Sequence, residues 1–507
     1  MNRVLAIMTL SLLSATSIAA QQSPDPADPK SISDIEHRID TLTEALTQTQ
    51  KALQDSLLEI QRLRTELNAI KRSQQGTASL AVTTPPALET TATPTSGELE
   101  AIHEQLDMLA AQVKQHDQIK VETASKYPLR VTGLALFNAY NDAGVVDDSE
   151  LASYALPRFA GGSHGSGGAT LRQTILGFEA NGPNLAGART SASLNVDFFG
   201  GTTTSNSGYS ATAGYVRIRT GNLALDWQNT TLEAGYFEPL ITPRAPTSYA
   251  VVAHPALAAS GNLWAWAPQL RVEQRLPFGA KHAVALEAGL LYPAASNYAN
   301  SQLTSPVSAS RHPGIEGRLS YRADRSANPS PGALSFGVSG YSASQFYSGN
   351  VHIHSWAVTG DYNVPFTRWL DLSGEFYRGT AIGALGGGSY NDVLFASDYL
   401  TTAAVVRAVA TAGGWTQLKA RFSPRLEANA MYGIDDSFKR NLDDIVLLSS
   451  TNFLANTSRN QTFGGNLIFR PKAALIFSPE YRHIETWGYK GTPNVASIFT
   501  LSAGYQF

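Results

Sequence analysis

From Tyr127 to the final Phe507, the apolar residues of this chain recur at every second position. Successive side chains of an extended strand point to opposite faces, so this period gives strands with one apolar and one polar face. In the last residues, Phe499, Leu501, Ala503, Tyr505 and Phe507 share one face, while Thr500, Ser502, Gly504 and Gln506 share the other. Ala192, Leu194, Val196 and Phe198 oppose Ser191, Ser193, Asn195 and Asp197 in the same way. So do Ile315, Leu319 and Tyr321 against Glu316, Arg318, Ser320 and Arg322.

Short turns alternate with long loops. The turns include Asn181 to Gly187, Leu276 to Ala280, Ser423 to Arg425 and Arg470 to Lys472; the loops include Asp142 to Gly168, Pro239 to Gly261, Ala381 to Ala412 and Asp435 to Asn460. Between them we count sixteen strands, eighteen being the alternative. They start near residues 127, 169, 188, 212, 230, 262, 281, 313, 333, 351, 368, 413, 425, 461, 473 and 495. The alternation slips near Gly221, which predicts a bulge or turn between Arg219 and Trp227. Ser397 to Ala410 reads as strand or as loop helix.

A soluble β-sandwich also alternates, but it does not need an apolar row on every strand with aromatics at strand ends, as Tyr292, Tyr321, Tyr362 and Trp369 are placed. A lipid-facing barrel needs both. The mean hydropathy of -0.14 fits this reading, because apolar and polar neighbours cancel along each strand. We therefore expect an all-β fold, a sixteen-stranded antiparallel transmembrane β-barrel over residues 127–507, preceded by an N-terminal α-helical coiled coil. The even count places both ends of the barrel on one side, the periplasmic one, with the short turns.

The chain has no Cys, which excludes disulfides, thiolate metal sites and Cys catalysis. Its net charge of -3 does not suggest a nucleic-acid partner. Residues 127–507 carry 22 Arg and 5 Lys against 25 acidic residues, so the barrel favours Arg over Lys.

Residues 1–20 read as a secretory signal peptide, with Arg3 before the apolar run Val4 to Leu13 and small residues after it. Residues 21–75 carry a heptad. Its seam is Ile32, Ile35, Ile39, Leu42, Leu46, Leu53, Ile60, Leu63, Leu67 and Ile70, interrupted by Thr49 and Ser56. This predicts a coiled-coil rod of about 58 Å at 1.5 Å per residue. Mixed Ile and Leu at both seam positions leans toward three strands over two. Residues 76–97 are a Thr/Ala/Pro linker, and residues 98–126 a second short helix with the heptad Leu99, Ile102, Leu106, Leu109, Val113 and His116.

A barrel of this size leaves room for an aqueous channel. The polar strand faces carry Arg217, Arg219, Arg271, Arg318, Arg322, Lys419, Arg421 and Arg482, and Arg244 lies in the third long loop. Arg presents a planar fork suited to carboxylate and phosphate, so these residues are candidates to line an anion-selecting pore. The same faces carry Asp197, Glu273, Glu316, Glu375, Glu427 and Glu480. A lumen stiffened by ion pairs is the equal alternative. Arg244 and His254 sit either at a constriction or on the outer surface.

The ending with Phe499, Leu501, Tyr505 and Phe507 resembles the assembly signal of bacterial outer-membrane barrels, which implies the barrel-assembly machinery as a partner. The layout from Ser31 to Phe507 resembles the coiled-coil-bearing, dicarboxylate-type and phosphate-selective porins of Gram-negative bacteria. The likeness includes the turn Glu179 to Pro183, the strand end Asn195 to Gly201 and the hairpin Asn466 to Arg482. The third loop, by its place in the order, resembles the porin loop that folds inward. The resemblance implies a homotrimer in the outer membrane, with the coiled coil in the periplasm, passing small solutes, anions above all, by passive diffusion. Few Lys, and acidic residues beside the Arg, depart from the phosphate-selective pattern.

The alternative is a tether: a barrel with a narrow or closed pore that anchors a coiled coil reaching the periplasm or peptidoglycan. No enzyme is expected. Gly161 to Gly165 match G-x-S-x-G but lie in a Gly/Ser-rich loop rather than between strand and helix. His352 and His354 share one strand face without a third ligand in view, so no metal or other cofactor is expected.

Overall fold

The computed structural model describes residues 120–121, 128–201, 214–279, 281–294, 304–323, 333–347, 350–395, 406–439, 442 and 453–507. The expected signal peptide, coiled coil and linker, and most of the second helix, lie outside these residues. Of the span 98–126, Lys120–Val121 is described, extended and paired with Arg130 and Leu129.

The alternating segments form the strands expected of them. In order they are β1 (Leu129–Ala143), β2 in two pieces (Gly165–Thr170 and Ile175–Asn181), β3 (Arg189–Asp197) and β4 (Arg217–Asp226). Then come β5 (Thr230–Phe237), β6 (Ala267–Phe278), β7 (His282–Leu291) and β8 (Gly314–Arg322). The series continues with β9 (Ser335–Tyr347), β10 (Val351–Thr367), β11 (Leu370–Thr380) and β12 (Ala410–Ser423). It ends with β13 (Leu426–Ser437), β14 (Thr457–Phe469), β15 (Leu475–Gly488) and β16 (Asn494–Gln506). Each strand pairs antiparallel with the next, and β16 returns to β1, from Leu134 opposite Gln506 to Ala143 opposite Ser497. With the two pieces of β2 counted as one strand, both of them resting on β1, the barrel is closed by sixteen strands.

Every strand begins within five residues of its sequence expectation. The slip near Gly221 is a bulge. Thr220 faces Asn195 and Ile218 faces Val196, so Arg219 is the extra residue in β4. One extra residue switches the parity of the strand, which puts Arg217 and Arg219 on the same face as Asn222 and Asp226 beyond it. In the ambiguous stretch 397–410, Val406–Ala408 is strand, paired with Val393–Phe395 in a small ribbon apart from the barrel. Trp264 and Trp266, expected at the start of a strand, belong to the loop before β6.

The outer face is apolar and uncovered. Leu194, Ile218, Leu223, Leu270, Ile315, Leu319, Leu418, Phe463 and Leu501 are all exposed. In water each would forgo about 1.5–3 kcal/mol of burial, whereas lipid supplies it. Aromatic residues ring the rim that carries the short turns: Phe278, Phe336, Phe366, Trp369, Phe422, Phe469 and Tyr505 are exposed there. Such a girdle suits a membrane interface. His352 and His354 point to this outer side, His352 against the Phe346 ring and His354 against the Ser342 hydroxyl.

The buried apolar residues lie inside the barrel. Ile241 and Leu263 of the β5–β6 loop and Ile382 and Leu385 of the β11–β12 loop pack against Leu291, Tyr341 and Tyr377 of the wall. Ala250, Val251 and Leu257 pack on Trp415 and Met431. Ala152 and Ala155 of the β1–β2 loop pack on Ile484, Ala496 and Ile498.

Candidate functional site: the lumen and its inward loops

The β5–β6 loop, residues 238–266, is bonded to strands on every side of the barrel. The Leu240 amide donates to Glu316 on β8 at 2.8 Å, and the Arg244 amide to Glu375 on β11 at 2.8 Å. The Thr247 amide donates to Gln417 on β12 at 3.1 Å, and the Ser248 hydroxyl to Glu480 on β15 at 2.6 Å. The carbonyl of Ala250 accepts from Asn138 on β1, and those of Val252 and Ala253 accept from Arg219 and Arg217 on β4. One segment reaches opposite walls of a closed barrel only from within. The loop therefore crosses the lumen, which decides the question the sequence left open for Arg244 and His254.

The local sequence allows this path. Ala253 to Gly261 is mostly small and apolar, so its backbone approaches the wall closely. Gly261 has φ +91, and a Cβ there would lie 2.2 Å from the Gly414 carbonyl oxygen, so only Gly fits. Two more loops turn inward. In the β1–β2 loop, the Ala155 amide donates to Thr486 and the Ala152 carbonyl accepts from Arg482. In the β11–β12 loop, the Gly388 and Ser389 amides donate to Asp435, and the Leu385 carbonyl accepts from the Trp264 amide. Sequence reading missed these two. In the β11–β12 loop the signal was the run A-I-G-A-L-G-G-G-S-Y, too apolar and glycine-rich for an exposed excursion.

Every basic residue of the expected pore lining has an acidic partner. Asp197 binds Arg217 at 2.7 Å and Arg219 at 2.9 Å. Glu233 binds Arg271 at 2.6 Å, and Glu273 binds Arg322 at 3.0 Å and Arg275 at 3.2 Å. Asp361 holds Arg318 and also Arg244, the latter at 2.9 Å. Lys419 meets Glu427 at 3.4 Å, Arg421 meets Asp371 at 2.7 Å, and Arg482 meets Glu480 at 3.3 Å. Arg318 and Arg482 are buried beneath the inward loops. Glu316, Glu375 and Glu480, read from sequence as neighbours of the arginines, serve mainly as anchors for the β5–β6 loop.

In all but two of these pairs the cation is the more exposed member; Arg322 is level with Glu273, and Arg275 lies deeper than Glu273. The side-chain exposures are 29% for Arg217 against 0% for Asp197, and 24% for Arg244 against 2% for Asp361. They are 33% for Arg421 against 6% for Asp371, and 29% for Arg271 against 13% for Glu233. Water in the lumen thus meets guanidinium groups, with the carboxylates set behind them in the wall.

A cavity of about 430 Å³ lies among the three inward loops and β4. Arg217 lines it from the wall, Asp147 and Asp148 from the β1–β2 loop, and Trp264, Trp266 and Tyr390 from the others. Asp147 accepts from the Ser153 and Tyr154 amides at 2.9 Å each, and burial pushes its pKa up to about 6. His254 contacts the Ser153 hydroxyl at 3.2 Å, and burial pushes its pKa down to about 4, so it is neutral at pH 7.

A closed sixteen-stranded antiparallel wall with an apolar outer face defines an outer-membrane β-barrel fold. No family model matches the chain, and no curated protein does. Among solved structures, the fold is similar to that of the outer membrane channel DcaP of Acinetobacter baumannii. The TM-score is 0.58 at 16% identity, over 76% of this chain and 99% of that one. The anion-selective porin from Comamonas acidovorans aligns with a TM-score of 0.46 at 10% identity, over 75% of this chain and 100% of that one. Pseudomonas putida OprB aligns at 0.41 with 12% identity, over 75% and 94%.

Proposed function

We propose that this chain is an outer-membrane porin that passes small solutes by diffusion and favours anions over cations. The observation that carries the reading is the β5–β6 loop, held across the lumen of a sixteen-stranded barrel by bonds to opposite walls. It makes a filter of a cylinder that would otherwise be wide. The anion preference rests on the water-facing guanidinium groups of Arg217, Arg244, Arg271 and Arg421, whose carboxylate partners are withdrawn. No step is coupled to an energy source. In this reading the short-turn rim is periplasmic, the heptad of residues 21–75 is a coiled coil in the periplasm, and the chain is a homotrimer.

Single-channel recording of the purified full chain in a planar bilayer tests this, with reversal potentials in a KCl gradient. Open steps grouped in threes, with a reversal potential displaced toward the chloride equilibrium value, are the expected result. A folded barrel that shifts on heating in gels, yet gives no steps, overturns the porin and favours the tether.

A further inference from the structure

The cavity among the inward loops has walls of opposite charge. On the β4 side, Arg217 gives Nε and Nη2 to Asp197 and Nη2 also to the Ala253 carbonyl. Among the described residues nothing takes its Nη1. Asp197 serves two guanidinium groups, so on this wall Arg217 and Arg219 share one carboxylate. On the β1–β2 side, Asp148 accepts the Glu150 amide on Oδ1 at 2.8 Å, and among the described residues no hydrogen bond reaches its Oδ2. Asp147 adds a second carboxylate to that wall.

The surface between the two walls is aromatic and its polar atoms are engaged. The Trp264 indole N–H donates to the Tyr390 hydroxyl at 2.6 Å, and that of Trp266 to Glu238 at 2.9 Å. His254 contributes no charge at neutral pH, with Nε2 on Ser153 and Nδ1 on the Pro255 carbonyl. The indole rings lie edge to face, with centroids 5.4 Å apart. Trp266 is buried, with the Arg217 and Arg219 guanidiniums 5.1 and 4.8 Å from its ring centroid, so it is Trp264 that offers carbon to a solute, while the ends of the cavity offer one donor group and one acceptor.

The geometry points to a binding seat for a small zwitterion with an apolar body, of the aromatic amino-acid type. Its carboxylate meets Nη1 of Arg217, its ammonium meets the Asp148 carboxylate, and its body lies against Trp264. A volume of about 430 Å³ holds a solute of that size. A simple anion meets Asp147 and Asp148, and a simple cation meets the Arg217–Arg219 pair. The seat thus refuses both singly charged classes by like-charge contact. It rests on the channel reading only for how the solute arrives.

Calorimetric titration of the full chain in lipid nanodiscs tests the seat without requiring conduction. Three probes of one shape are compared: phenylalanine, 3-phenylpropanoate without the ammonium, and 2-phenylethylamine without the carboxylate. Phenylalanine is expected to bind about tenfold tighter than either, the discrimination one charge-assisted hydrogen bond supplies. Asp148→Asn, checked as folded by its shift on heating in gels, should bring phenylalanine down to the affinity of 3-phenylpropanoate. Equal binding of all three probes, or a preference that Asp148→Asn leaves intact, overturns the proposal. The same titration that finds the seat in a barrel giving no current would leave the seat standing while the porin reading falls.

Discussion

Arg244 and Asp361, 117 residues apart in the chain, join the lumen-crossing loop to the wall through a contact of 2.9 Å from Nε to Oδ1. Asp361 also pairs with Arg318, so one carboxylate on β10 bridges two guanidinium groups. The loop is thereby fixed at its entry, close to where the Arg244 amide meets Glu375.

Removing that carboxylate should leave Arg244 without an acidic partner and Arg318 with Glu287 alone, in a poorly hydrated corner. Asp361→Asn is expected to lower the stability of the barrel by about 3 kcal/mol, in the range for breaking a buried pair. It should also add fast flicker to the open-channel current as the loop loosens. Urea unfolding in lipid, followed by gel mobility, reads the first effect. An unchanged midpoint would show that Arg244 and Arg318 find other acceptors.

Selectivity should follow the exposed cations. Arg271→Gln and Arg421→Gln each remove a water-facing charge and leave a carboxylate behind, so each should move the reversal potential toward cation preference, and together further. Arg482→Gln, covered by the β1–β2 loop, should move it little while destabilising the fold. A larger shift from Arg482 than from Arg271 would contradict the exposure argument.

Two titrating groups on the inward loops act in the same pH window with opposite sign. Asp147 has a folded pKa of about 6, above the ordinary carboxylate value of about 3.9. Between those values the native state holds the extra proton, so stability falls as pH rises from about 4 to about 6. His254 has a folded pKa of about 4, below the ordinary value of about 6.5. Between those values the unfolded state holds the extra proton, so stability rises over nearly the same interval. Local opening of residues 147–155 in the intact protein should show a flat profile there. Asp147→Asn should unmask the rise and His254→Gln the fall, read as local opening of residues 147–155 by hydrogen exchange corrected for intrinsic rates. Two flat variants would reject the assignment.

The seam between β1 and β16 should be sensitive to volume. Gly133 and Phe507 exchange both backbone hydrogen bonds, at 2.8 and 3.0 Å. A Cβ on Gly133 would sit 2.6 Å from the Ile175 carbonyl oxygen and 2.7 Å from the Phe507 ring. Gly133→Ala should cost about 1–3 kcal/mol through overpacking and raise the fraction that stays unfolded in refolding gels. Phe507→Ala in the same chain should relieve part of that cost. No relief would place the clash in the backbone alone.

The wall was legible because every strand repeats one rule. Leu319 outward and Arg318 inward follow from period two, and even the bulge at Arg219 left its trace as a slip. The interior was legible only in part. A carboxylate such as Glu316 or Glu480 reads the same whether its partner is an Arg on the next strand or the amide of a distant loop. The long-range contact decides, and local pattern does not record it. The inward turn of the β1–β2 loop was hidden for the same reason, since Ala152 meets Arg482 across most of the chain.

A wall one sheet thick and closed into a hoop bends most easily by ovalising, two opposite sides approaching while the other two part. The β5–β6 loop ties Glu316, Glu375, Glu480, Gln417 and Arg219 to a single length of backbone and so acts as a cross-brace. The cross-section of this cylinder is set by the brace as much as by the hoop. Lateral pressure from the bilayer is then carried through the same backbone that narrows the passage, so squeezing the wall should also tune the bore.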